Sequence, residues 1–200
     1  MTIKHYTFRP PTGYQAFELA TYRLPAGTFV YRCYGSHRPP EQSVYFGAAG
    51  SGRFSDPRME LGVMYVGKSF AAALVETLLH SSPEVDAIPI DDLKAIAVAE
   101  LSFERNLELV KFSGPELKRN HTTAEIFTCP HSESQLWASD IIDNPRDYAG
   151  IYYPCRHNSD VHALALFDGR TGDIVVNPLG TLDALDETYE VLGRHGVGVF

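Results

Sequence analysis

The sequence has no apolar run near the roughly 18 residues that a membrane-spanning helix needs, which excludes an α-helical span. Its start, Met1-Thr2-Ile3-Lys4-His5-Tyr6, lacks the apolar core of a secretory signal. Cysteine is scarce and odd in number: Cys33, Cys129 and Cys155 lie far apart, which argues against a disulfide framework. Together these make a reducing cytoplasm the expected location. Basic charge is also in short supply, with 17 Lys and Arg against 25 Asp and Glu and a formal net charge of −8. Direct nucleic-acid binding is therefore not expected, because neutralising phosphates needs a basic face. An anionic small molecule is still within reach if a few arginines are focused in one place.

Several catalytic signatures are missing as well. There is no Gly-x-Ser-x-Gly elbow for a serine hydrolase and no P-loop. Cys129, His131, Cys155, His157 and His162 fit no zinc spacing, so no metal is expected. No internal repeat or long linker interrupts the chain. With 200 residues and 44% apolar content, the sequence suits one domain with a substantial core.

Residues 1–27 read as loop-prone around Pro10-Pro11-Thr12-Gly13 and Pro25-Ala26-Gly27. Residues 1–24 are expected to form an extension packed on a domain spanning 25–200. Thr28 to Tyr34, rich in β-branched and aromatic residues, reads as a strand. Residues 35–57 follow as a long Gly-, Ser- and Pro-containing loop, and loops of this length are often functional. Leu61 to Val66 is a second strand, and Ser69 is placed to cap a helix from Phe70 to His80. Further strands are expected at 96–101, 107–110, 150–153, 162–167 and 173–176. A helix from Glu133 to Ile142 carries the single Trp, Trp137. A last helix, Leu182 to Leu192, has Leu182, Leu185, Tyr189 and Leu192 spaced for one buried face. Strands that outnumber helices without alternating with them indicate an α+β fold, with a mixed or antiparallel β core and flanking helices.

Four features carry candidate chemistry. Arg32 shares a strand face with Val30 and Tyr34, unusual company for a charge. Its stem can simply pack on the tyrosine, or its planar fork can grip a pyrophosphate. Gly47-Ala48-Ala49-Gly50-Ser51-Gly52-Arg53-Phe54 is a poor dinucleotide fingerprint, since it does not lead from a strand into a helix. It is either a plain turn or a loop that brings Arg53 to a ligand. Glu76 sits mid-helix beside Ala72 and Ala73, small residues that leave room for a ligand and equally suit a solvent-facing Glu. Cys155, next to Arg156 and His157, is either an activated thiolate or a buried, inert thiol.

Taken in order, these segments resemble the RES family. The correspondence runs through Tyr31-Arg32, Gly52-Arg53-Phe54, Met64-Tyr65-Val66, Ala73-Leu74-Val75-Glu76 and Gly150-Ile151-Tyr152-Tyr153-Pro154-Cys155-Arg156. The apolar strand His162 to Phe167 follows. The similarity covers roughly residues 25–170, with one departure: Cys155 stands where the family has a serine. The resemblance implies a fold like the ADP-ribosyltransferase toxins, with NAD as substrate and no separate cofactor. It also implies a partner antitoxin of the Xre helix-turn-helix type that covers the active site; a homo-oligomer is left open. Family members cleave the nicotinamide–ribose bond by hydrolysis or phosphorolysis, or pass ADP-ribose to a protein. In that role Glu76 would stabilise the charge developing on the ribose, and Arg32 and Arg53 would hold the pyrophosphate. Tyr65 and Tyr31 would wall the nicotinamide, and Cys155 would be a positioning contact. A degenerate member that binds without turnover is the alternative that Cys155 raises.

Overall fold

The computed structural model describes residues 8–47, 50–79, 86–156 and 158–200. The expected helix end at His80, the loop residues Ala48 and Ala49, and His157 lie outside the described residues. Among the described residues the main element is a mixed eight-stranded sheet with short helices around it, an α+β architecture. The strands are β1 (Thr21–Leu24), β2 (Val30–Gly35), β3 (Val63–Gly67), β5 (Ile96–Phe103), β6 (Leu107–Lys111), β7 (Gly150–Cys155), β8 (Asn158–Phe167) and β9 (Ile174–Thr181). A separate small pair joins β4 (Ala87–Ile88) to β10 (Gly198–Val199). The large sheet runs in the order β1-β6-β7-β8-β3-β2-β5-β9. Its pairs are antiparallel except β6 with β7.

The sheet is bent on itself. β5 leads into β6 through Glu104, Arg105 and Asn106 alone, yet the two strands lie far apart in the sheet order. One apolar cluster correspondingly joins Leu24 of the edge strand β1 to Val30, Leu101 and Phe103 at the other end of the sheet. The opposite face packs on helices through Phe70, Ala72 and Leu74 of α1 (Phe70–Leu74), Trp137, Ala138 and Ile141 of α4 (His131–Ile142), and Val191 and Leu192 of α5 (Asp186–Arg194). The remaining helices, α2 (Ile90–Lys94) and α3 (Glu116–Arg119), are single turns at the periphery.

Most elements follow the sequence pattern. Ser69 caps α1, its Oγ accepting from the Ala72 N–H at 3.2 Å. The last helix departs from expectation. It is broken at Leu185, whose backbone is extended, into a short 3₁₀ turn (Leu182–Ala184) and α5. The break resets the helical phase, so Thr188, Val191 and Leu192 are buried while Tyr189 is 40% exposed. Within the stretch read as loop-prone, Thr21–Leu24 forms the edge strand β1, in register with β6 from Thr21↔Val110 to Leu24↔Leu107.

The sheet's main irregularity lies between β2 and β3. β2 runs its whole length beside β5, from Val30↔Leu101 to Gly35↔Ile96, but meets β3 only at Tyr31↔Gly67. Gly67 is tightly packed there: an added Cβ would stand 2.2 Å from the Ala73 backbone nitrogen. The start of α1 is thereby pressed against the point where the two strands part.

Candidate functional site

The parting of β2 and β3 opens a cavity of about 380 Å³, in the range of small-molecule sites. β2 contributes Tyr31, Arg32 and Cys33, and β3 contributes Tyr65, Val66 and Gly67. The loop before β3 adds Ser51, Gly52 and Arg53, and the helix after it adds Ala73, Glu76 and Thr77. Phe127, His131, Tyr153, Pro154 and Arg156 close the remaining sides. Five of the six site residues expected from sequence therefore line one cavity: Tyr31, Arg32, Arg53, Tyr65 and Glu76.

Arg32 shares its side of the sheet with Val30 and Tyr34, as the alternation requires. Its guanidinium does more than pack there. Where the β2–β3 ladder is missing, Nη1 donates to the Tyr65 carbonyl and Nε donates to the Ser43 carbonyl at 3.1 Å. The arginine thus bridges the two strands at the Tyr65 carbonyl, an acceptor facing the split, and also ties in the turn that ends at Ser43. Burial pulls its pKa below the ordinary arginine value, but a guanidinium keeps its charge in proteins.

Glu76 owes its place to an irregularity in its helix. After Leu74 the α-helix widens into a π turn, Val75–Leu79. Such turns are frequent at functional sites because they re-aim side chains. Here both Glu76 and Thr77 reach the cavity. The Thr77 hydroxyl is occupied by the Ala73 carbonyl at 2.7 Å. The Glu76 carboxylate receives a long hydrogen bond, 3.5 Å, from the Tyr153 hydroxyl. Tyr153 is buried, its ring edge-on to Phe54 at 5.0 Å, and burial followed by the Glu76 charge raises its pKa well above the usual phenol value. It therefore stays a neutral donor toward the carboxylate.

Tyr65 is held by its hydroxyl, which accepts from the Phe54 N–H at 2.9 Å. Burial raises its pKa, so it too is a neutral phenol. Gly52 lies against this ring; a Cβ there would stand 2.3 Å from the hydroxyl. Tyr31 donates to Glu100 at 3.2 Å and sets its ring edge-on to Phe70. Arg53 is tied through Nη1 to the carbonyls of Cys129 at 2.8 Å and Ile126 at 3.3 Å. Arg32, Arg53, Arg156 and His131 thus line one cavity in a chain whose net charge is −8.

Cys155 is placed differently. Only 2% exposed, it lies outside the residues that line the cavity. Its Sγ is 4.0 Å from the Ala72 carbonyl, and burial followed by the Glu76 charge drives its pKa upward. That favours a protonated, inert thiol behind the carboxylate over an activated one. Cys33 faces the cavity, but burial raises its thiol to about 11. At neutral pH, thiol titration of the native protein is accordingly expected to leave Cys155 unmodified until the protein unfolds. Cys155→Ser is expected to fold as the parent does and to keep whatever turnover the cavity supports within about threefold, because the position keeps a small hydrogen-bonding group. A variant at least about a hundredfold slower with unchanged fold would instead mark the sulfur as essential.

Tyr153, Thr77, Phe127 and His131 join the site although no residue pattern singles them out for it. Tyr153 belongs to a motif-bearing segment, whereas His131 carries only an unsupported hint of metal binding. Among the described residues no cluster of His, Cys, Asp and Glu could hold a metal ion, and no helix is long and apolar enough to cross a membrane.

The model of the RES domain matches residues 29–186. A solved structure, described as the M. tuberculosis MbcT-MbcA toxin-antitoxin complex, is similar in fold with a TM-score of 0.57 and 17% identity, over 86% of this chain and 92% of that one. No curated protein matches the sequence. The match over most of the chain places it in the RES domain family.

Proposed function

Taking the chain as a RES-domain protein, we propose that it consumes NAD by cleaving the nicotinamide–ribose bond and acts as a growth-arresting toxin held in check by an antitoxin. The observation that carries this reading is the convergence of Glu76 with Arg32, Arg53, Tyr31 and Tyr65 on the cavity opened between β2 and β3. The chemistry asks little of the protein. The bond between ribose C1′ and the nicotinamide nitrogen breaks with its electron pair leaving on nicotinamide, which departs neutral. No general acid is needed. Positive charge develops on the ribose, as in oxocarbenium-like glycosidase transition states. Glu76 faces that charge and interacts more strongly with it than with the ground state, which is the condition for accelerating the step.

Arg53, fixed by two backbone carbonyls through a single nitrogen, keeps the rest of its fork for a ligand and is suited to hold the pyrophosphate. Arg32 contributes charge from the strand split while keeping the walls apart. Tyr65 and Tyr31 provide neutral aromatic walls for the nicotinamide ring. Water, phosphate or a protein nucleophile then captures C1′, giving ADP-ribose, its 1-phosphate or a modified protein. The partner that fits this reading is an Xre-type helix-turn-helix antitoxin covering the cavity mouth.

The test is to incubate the protein with NAD, with and without phosphate, and to identify every product. Nicotinamide release with free ADP-ribose means hydrolysis. A phosphate-dependent sugar phosphate means phosphorolysis, and label retained on protein means ADP-ribosyl transfer. Tight NAD binding with no nicotinamide released would contradict cleavage and leave a binding protein.

A further inference from the structure

The loop that carries Arg53 has an unusual arrangement of backbone carbonyls. Four consecutive ones each receive a side chain from the first turns of α4. Gln135 Nε2 donates to the Gly50 carbonyl at 2.6 Å and to the Gly52 carbonyl at 2.9 Å. The Ser134 hydroxyl donates to the Arg53 carbonyl at 2.7 Å, and His131 Nδ1 lies 3.0 Å from the Ser51 carbonyl. Because a carbonyl can only accept, that His131 nitrogen carries the proton. The partners are 80 to 85 positions apart in the chain, so none of these bonds arises from local turn formation.

We propose that α4 acts as a clamp on residues 50–53, with Gln135 as its chief positioning residue, and that this clamp sets affinity for the pyrophosphate-bearing substrate through Arg53. Gln135 is nearly buried and commits its amide to two carbonyls at once. Methionine at this position keeps the length and shape but has no donor. Without the amide, the Gly50 carbonyl loses this donor and the Gly52 carbonyl keeps only the Ser55 N–H at 3.2 Å, so the segment gains freedom to swing. Arg53 moves with it. Tyr65 feels the change too, since Gly52 lies against its hydroxyl and the Phe54 N–H donates to it. A mobile binding arm costs affinity because it must be ordered on binding. Bond cleavage at Glu76, on a different element, is then left largely untouched once NAD is bound.

This inference rests on the NAD reading, so its test has one measurement that needs no NAD. Gln135→Met is compared with the unaltered protein and with Leu136→Ala, a change on the exposed side of the same helix. Trypsin cleavage after Arg53 is followed by mass spectrometry, nicotinamide release is followed against NAD concentration, and folding is checked by Trp137 fluorescence. Gln135→Met is expected to speed cleavage at Arg53 at least about fivefold and to raise KM about tenfold, with kcat within about twofold. Leu136→Ala should change neither. Should Gln135→Met fail to fold, Ser134→Ala removes one clamp bond and is expected to move both readouts in the same direction by less. Unchanged cleavage at Arg53, or faster cleavage with an unchanged KM, overturns the proposal. Equal losses in kcat and kcat/KM overturn it as well. If the unaltered protein releases no nicotinamide while cleavage at Arg53 still rises, the NAD reading fails and so does the substrate role of the clamp.

Discussion

Replacing Glu76 with Gln is expected to lower nicotinamide release by about 10²–10³-fold, the usual cost of removing one preorganised electrostatic group from a transition state. Shape and length are preserved, so the variant should fold as the parent does. The Tyr153 hydroxyl approaches the carboxylate at a long 3.5 Å, and an amide oxygen can accept that hydrogen bond equally well. Binding of NAD should change less than turnover, because the positive charge sits on the nicotinamide ring in the ground state and moves onto the ribose facing Glu76 only as the bond breaks. The expected pattern is thus a fall in kcat that exceeds any change in KM, the mark of an interaction made mainly in the transition state. Turnover near the parent value would remove the Glu76 charge from the mechanism.

Arg32→Lys should be damaging for two separable reasons. The guanidinium satisfies the Tyr65 and Ser43 carbonyls through different nitrogens. A lysine retains the charge but not the planar fork, and it can satisfy at most one of these acceptors with comparable geometry. Leaving a partly buried carbonyl without its donor costs about 1–3 kcal/mol, readable as a lower urea midpoint with an unchanged slope. The same carbonyl belongs to Tyr65, so β3 and the tyrosine ring shift together. Misplacement on the order of 1 Å can cost about 10²-fold in rate, and a fall of that order in kcat/KM is expected. If stability and kcat/KM are both unchanged, Arg32 is only a packed strand residue.

Arg32 also shows how far the sequence can be read. Alternation along 28–34 correctly sets it on the face of Val30 and Tyr34, but no local pattern reveals that β2 and β3 part after a single pair. That parting depends on Gly67 meeting the start of α1, an encounter between separate elements. The order of the motifs is enough to gather Tyr31, Arg32, Arg53, Tyr65 and Glu76, whereas the π turn that aims Glu76 has no signature in Ala73-Leu74-Val75-Glu76. Cys155 lies beside Arg156 in sequence, but strand alternation turns it inward while Arg156 reaches the cavity. The clamp of His131, Ser134 and Gln135 is invisible in the sequence because its partners are backbone carbonyls, which leave no residue-type signal. The exposure of Tyr189 has a simpler cause: the helical period does not carry across the break at Leu185.

The central claim is that the cavity between β2 and β3 is the NAD site and that Glu76 acts on the ribose bound there. Its most direct test is the structure of the Glu76→Gln protein with intact NAD. The expected result puts the pyrophosphate against Arg53, the nicotinamide against Tyr65, and ribose C1′ within about 4 Å of residue 76, near the separation of a reactive complex. NAD bound elsewhere, or bound with its nicotinamide ribose turned away from residue 76, would contradict it.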